Sequence, residues 1–229
     1  MNMVQSVMKM YMRDKWGWFF LPWIILFSSF LVNFLIASLL PMEENIVTGG
    51  LMSIFIYMMV AGILTMSQTF PFALGMSVRR RDFYMGSMLM ILLVSIWISV
   101  TLSILSYIEG SVIDGWGVRL YFFHLPYLSA GGYLSQLVIF ISTMLFLYML
   151  GFLCASIFRR FGKTGMFGSA IVSALVLTVV IYMANYFGWW ASVFNAVKDL
   201  TALDIALILF PLSVCLSVVS YVLLRRATV

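Results

Sequence analysis

Few side chains in this sequence are of a type that does chemistry, and most of those fail on spacing. The single histidine, His124, has no cysteine or acid at metal-ligand spacing, so it reads as an interfacial side chain rather than a ligand or a general base. Gly162-Lys163-Thr164 ends as a phosphate-binding loop ends, but such a loop needs its first glycine where Ile157 stands, inside an apolar run. Leu128-Ser129-Ala130-Gly131-Gly132 matches an ATPase signature peptide only superficially, in a stretch with no domain to support it. The long apolar runs hold no Asp or Glu, which leaves no intramembrane general base or proton carrier. Cys154 and Cys215 also lie within apolar runs and behave there as small hydrophobes, implying no disulfide framework. No catalytic group, metal site or cofactor site on this chain is expected.

What resists this elimination is a basic, aromatic-flanked break, Phe70-Pro71-Phe72-Ala73-Leu74-Gly75-Met76-Ser77-Val78-Arg79-Arg80-Arg81-Asp82-Phe83-Tyr84. Pro71 is suited to begin a short helix, Gly75 to end it, and Ser77 to cap the helix that follows. Arg79, Arg80 and Arg81 then occupy the first turn, where the helix dipole favours acids, a mismatch of a few tenths to about 1 kcal/mol per charge. Something negative should compensate. Anionic lipid, at about 1 kcal/mol per basic residue near the surface, and an acidic protein groove are both open.

The elements that position this break are membrane spans. At 64% hydrophobic and 9% charged residues, with a mean hydropathy of +1.10, the 229 residues have too little polar surface to cover a soluble globule. The net charge of +5 is a topology signal and not a nucleic-acid footprint, because the basic residues sit in short loops between apolar runs. Stretches from Trp18 to Leu40, Gly49 to Phe70, Gly86 to Tyr107, Leu134 to Phe158, Thr164 to Ala184 and Ile205 to Leu224 each reach the roughly 20 residues that a span needs. None contains a charge, and one central charge would cost about 2.5–3.5 kcal/mol. The expected fold is an all-α integral membrane protein with six transmembrane helices in a single domain, residues 1–229.

Orientation follows from the loops. Lys9, Arg13, Lys15, Arg79–Arg81, Arg159, Arg160, Lys163, Arg225 and Arg226 fall on one side, with only Arg119 and Lys198 on the other, so both termini are expected in the cytoplasm. Glu43, Glu44, Glu109, Asp114, Asp199 and Asp204 segregate to the opposite face. Residues 1–17 alternate at helical spacing, Val4, Val7, Met8 and Tyr11 against Gln5, Lys9 and Arg13, and predict an amphipathic interfacial helix that is retained rather than cleaved. Pro22 marks an elbow into the first span. The external loop, residues 108–133, is rich in glycine and aromatics, and predicts one or two short helices broken at Pro126 and Gly131-Gly132.

Inside the spans, Ser95, Ser99 and Ser103 share one face of the third, and Gly165, Ser169 and Ser173 one face of the fifth. Both stripes suit close packing, with a substrate path as the alternative. Asn33 is a polar group deep in the first span, which an interhelical hydrogen bond of about 0.6 kcal/mol would explain without a transport role. Tyr57, Tyr148 and Tyr182 suit either a cavity wall or packing, and Pro211 should kink the last span.

This layout, with Phe70 to Phe83 between the second and third spans, resembles the permease subunits of ATP-binding cassette exporters of the second permease class, the type V exporter-like group. The likeness covers the whole chain in layout and the 70–83 loop in residues. It implies that Pro71, Phe72, Leu74, Gly75, Ser77, Arg79, Arg80, Arg81 and Asp82, within a coupling helix over 71–82, seat in a separate cytoplasmic ATPase. It also implies that Lys9, Arg13 and Lys15 belong to a connecting helix. Two ATPase copies carrying ATP and magnesium would serve a permease homodimer, or a heterodimer with a related permease, in the plasma membrane of a bacterium. The chain itself would be no enzyme. Small bacterial permeases that export amphipathic or antimicrobial peptides are similar, so such a peptide is the implied substrate. The rival expectation is a non-transporting scaffold or sensor subunit that binds anionic membrane lipid through its arginines.

Overall fold

The computed structural model describes residues 3–40, 45–129, 131–198 and 200–225; Glu43, Glu44, Asp199 and Arg226 of the charge count lie outside them. In chain order the elements are α1 (Met3–Arg13), α2 (Trp16–Leu39), β1 (Ile46–Val47), α3 (Met52–Gly75), α4 (Arg80–Ile113), β2 (Leu120–Tyr121), α5 (Pro126–Ser129), α6 (Gly132–Tyr186), α7 (Trp190–Lys198) and α8 (Ala202–Arg225). Five of them, α2, α3, α4, α6 and α8, are long and apolar enough to cross a membrane, the makeup of a multi-pass membrane protein. The strands are a minimal parallel pair, Ile46 beside Leu120 and Val47 beside Tyr121, tying the α2–α3 connection to the one after α4.

The count is five where six were expected, because the fourth and fifth apolar stretches share α6. Its 55 residues would extend about 80 Å if straight, against a hydrocarbon layer of about 30 Å. Gly162, however, stands at φ 67° and ψ −163°, which a Cβ would forbid, and it interrupts the helical backbone between 132–161 and 163–186. Just beyond the break, a Cβ on Gly165 would lie 2.0 Å from Cβ of Phe161, so the missing side chain admits the aromatic ring.

Pro22 and Pro71 shape their helices in the same way. Proline has no N–H, and its ring crowds the carbonyl four residues back. The chain widens into a five-residue π segment before each, Trp16–Phe20 and Thr65–Thr69. The N–H of Leu21 consequently reaches the carbonyl of Trp16, and that of Phe70 reaches Thr65. The next carbonyl in each ladder, Gly17 or Met66, would need the N–H that proline lacks. Side chains from other helices supply it: the Tyr57 hydroxyl donates to Gly17, and Arg159 Nε donates to Met66 at 3.1 Å.

Two glycines let α3 and α6 approach until only backbone separates them. A Cβ on Gly62 would lie 2.2 Å from the Tyr148 carbonyl oxygen, and one on Gly151 would lie 2.0 Å from that of Met59. Such contact suits a membrane interior, where lipid is as apolar as leucine and helices associate by close packing. Ile54, Met58, Phe140 and Phe152 are buried around this crossing, with the Phe55 and Phe140 rings 5.8 Å apart. The apolar faces of 171–183 and of α8 are instead mostly exposed, as for surfaces solvated by lipid.

Either Gly62→Ala or Gly151→Ala should therefore lower the thermal unfolding midpoint of the detergent-purified protein, with an overpacking cost of about 1–3 kcal/mol. Gly168→Ala, where a Cβ meets nothing within 4 Å, should leave the midpoint unchanged.

Candidate functional site

The break at 70–84 is continuous helix on one side and a tight turn on the other. Phe70–Gly75 carries straight on from the π segment of α3, since Thr69 and Phe70 keep right-handed helical torsions. The turn then closes by two backbone bonds, Val78 N–H to Ala73 at 3.1 Å and Ser77 N–H to Leu74 at 2.9 Å. This nested pair is the arrangement that usually ends a helix on a left-handed glycine. Here Ser77 takes the left-handed position, at φ 60°. The expectation that Ser77 caps the next helix is thus corrected. Arg79 occupies the N-cap of α4, with extended torsions and no side-chain cap. Gly75 closes the short helix as expected, one residue before the cap Met76.

The arginines have separate fates. Arg80 Nη1 donates to the carbonyl of Arg225 at 2.9 Å and more distantly to Leu224, so it serves the C-terminal end of α8. Arg79 and Arg81 are exposed, and Asp82 is partly buried in the first turn, where an acid suits the dipole. Phe72 and Met76 also face outward, 61% and 51% exposed. Arg159 takes over the remaining free carbonyls of the π segment, reaching Ser67 at 3.3 Å as well as Met66, while its guanidinium lies 5.6 Å over the Phe70 ring. One face of the bend is fastened to the bundle, and the other presents two arginines and two large apolar side chains.

Beside it, α1 packs on α4 through the residues its periodicity selected. Val7 and Tyr11 are buried, and a Cβ on Gly86 would strike Val7 at 2.6 Å. Ser87 donates to the Phe83 carbonyl, so the Tyr11 hydroxyl is the donor in its 2.7 Å bond to Ser87. Burial pushes the Tyr11 phenol above its ordinary value, which keeps it a donor. Lys9, Arg13 and Lys15 all lie on the exposed side. Between α1 and the 68–78 segment runs a groove of about 970 Å³, with Lys9 and Arg13 on its rim.

The remaining sequence candidates scatter. Among the described residues Asn33 bonds within its own helix, its amide donating to the Ser29 carbonyl at 2.8 Å. Tyr57 serves the Gly17 carbonyl, and Tyr148 donates to Thr65 at 3.1 Å. Ser95 and Ser99 are fully buried on the packed face of α4. Ser169 bonds back to Met166 at 2.9 Å and, like Gly165, is half-buried.

Sequence reasoning missed the best-organised polar site. Helix α4 runs on through a π turn, Ile108–Ile113, which places Glu109 within the helix and fully buried. One carboxylate oxygen accepts Trp116 Nε1–H at 2.6 Å and the Phe122 N–H at 2.9 Å; the other accepts the N–H of Phe123 at 2.5 Å and that of His124. These donors come from a segment that holds Asp114, Trp116 and Arg119 at positive φ, a strain of roughly 1–3 kcal/mol each. Phe30 of α2 sits among the Trp116, Phe122 and Phe123 rings at 5.3–5.6 Å. Asp114 accepts the Tyr121 hydroxyl at 2.6 Å, which raises that phenol above its ordinary value. Farther along, Pro126 opens the short helix α5, where a break was expected, and Gly131 precedes α6.

Glu109→Gln turns one acceptor into a donor facing N–H groups, leaving at least two buried donors unmatched at about 1–3 kcal/mol each. Limited proteolysis of the variant should open cleavage between 110 and 130, with a lowered unfolding midpoint. Asp114→Asn, on an exposed bond at a position asparagine tolerates, should do neither.

Comparison with protein-family models, with curated proteins and with solved structures returned no match.

Proposed function

We propose that this chain is the permease subunit of an ATP-binding cassette exporter, working with a separate cytoplasmic ATPase that binds ATP and magnesium. The observation that carries this reading is the division of labour at the bend. Arg80 and Arg159 are spent on carbonyls of the bundle, whereas Phe72 and Met76 at the end of α3 and Arg79 and Arg81 at the start of α4 are exposed on either side of the tight turn. Mixed cationic and apolar side chains on a preformed element suit a protein partner, with arginine and aromatic anchors.

Six spans fit this reading, with α6 divided at Gly162, both termini in the cytoplasm, and Arg159, Arg160 and Lys163 at the same surface as the bend. The bonds from Arg80 to the end of α8 and from Arg159 to the end of α3 support that arrangement, because they join ends that the six-span order places together. Glu109 does not supply an energy-converting group, since four N–H donors occupy its carboxylate. Work must then come from outside the chain. Two permeases paired through their exposed spans, moving an amphipathic peptide outward, complete the reading.

Co-purification with the partner ATPase, and the ATP turnover of the complex, test it. Arg79→Glu combined with Arg81→Glu should abolish association while leaving the unfolding midpoint unchanged. Arg80→Gln should lower the midpoint yet retain association. Unchanged association and turnover in the double variant would remove the docking assignment.

A further inference from the structure

We infer that the groove between α1 and the 68–78 segment is a binding site for one anionic phospholipid. Its walls are two helical stripes. On α1, Met3 and Met10 fall on the side next to the buried Val7 and Tyr11; on the facing helix, Phe72 and Met76 stand one turn apart. The apolar lining is thus flexible methionine with the rings of Tyr11, Trp18 and Phe72, a surface that accommodates an alkyl chain. The rim is polar and basic, with Lys9 and Arg13 a turn apart on α1 and Asp14 as the acid among the lining residues.

Size and charge decide the occupant. The groove measures about 970 Å³, at the upper end of the roughly 300–1,000 Å³ typical of small-molecule clefts. Three turns of a partner helix, about 16 Å long and 10–12 Å across, need on the order of 1,300–1,800 Å³. A protein helix is therefore too bulky to be enclosed, whereas the headgroup and one acyl chain of a phospholipid, its second chain remaining in the bilayer, are of the right girth. Basic residues above an apolar trough match an anionic headgroup above its tail, the complementarity that draws basic amphipathic helices to acidic lipid. The inference does not depend on the exporter reading, because it needs neither ATPase nor transport.

Native mass spectrometry of the full chain in mild detergent tests it, with phosphatidylglycerol and phosphatidylcholine of identical acyl chains titrated separately and glycerol phosphate as the bare headgroup. One phosphatidylglycerol should bind about 25-fold more tightly than phosphatidylcholine, at roughly fivefold per basic residue. Lys9→Gln with Arg13→Gln should remove that preference, and Arg13→Lys should keep most of it. Phe72→Ala with Met76→Ala should weaken both lipids and leave their ratio intact; all three variants change exposed or rim side chains, and an unaltered unfolding midpoint checks the fold. Equal binding of the two lipids, a preference that survives loss of both charges, or glycerol phosphate binding as tightly as the lipid would each overturn the assignment. Lipid binding that persists while the Arg79 and Arg81 variant loses the ATPase would separate this site from the docking surface.

Discussion

Two missing N–H groups set much of the architecture at one end of this molecule. Pro22 and Pro71 would each leave the carbonyl four residues upstream without a ladder partner, and in an apolar surrounding such a group costs several kcal/mol unless it finds a donor. The widened π segments move the deficit to Gly17 and Met66, and Tyr57 and Arg159 meet it from other helices. A local defect in one helix thereby becomes a tertiary bond. Through these two bonds α2 is fastened to α3, and α3 to α6, where lipid provides no hydrophobic drive toward association.

The close crossing of α3 and α6 works with this. Gly62 and Gly151 bring the backbones together, and the same crossing brings Tyr148 to Thr65, the first residue of the π segment. Tyr11 reaches Ser87 on α4, so buried hydroxyls link α1 to α4 and α6 to α3 by polar bonds in an otherwise apolar interior. At the other end, Glu109 does by itself what proline and its compensating donors do below. It gathers the N–H groups of a left-handed, glycine-rich segment that could not pair within a regular element.

The apolar helices, the amphipathic face of α1 and the turn after Gly75 were legible because each is written in local spacing: hydrophobic runs, a 3.6-residue period, and proline and glycine at helix ends. The deep polar groups were not. Asn33 looked interhelical in sequence because depth suggests a partner elsewhere, yet a side chain that can reach its own i−4 carbonyl at 2.8 Å needs none. Ser77 suited an N-cap by residue type, but the tight turn demanded a left-handed residue there, two positions before the N-cap of α4. Glu109 looked like loop charge because its four donors follow it by 7 to 15 residues, beyond the reach of any periodicity. The signal that was present is compositional: an acid at the end of a long apolar helix, followed by glycines and aromatics, is a helix end with a cap folded onto it.

The arginines carry the same lesson further. A run of three looks like one patch in sequence, but Arg80 and Arg81 are about 100° apart on the helix and Arg79 precedes it in extended backbone, so the three do not face one way. Arg80 therefore points to the end of α8 while Arg79 and Arg81 flank it outward. In the proposed exporter this division gives the bend two grips, one on the partner and one on the bundle. Arg159 adds a second hold on the bundle side, joining α6 to carbonyls of the π segment. A push on Phe70–Gly75 in that exporter would reach α6 through that arginine and the Phe70 ring beneath it, three residues before the Gly162 break in its helical torsions.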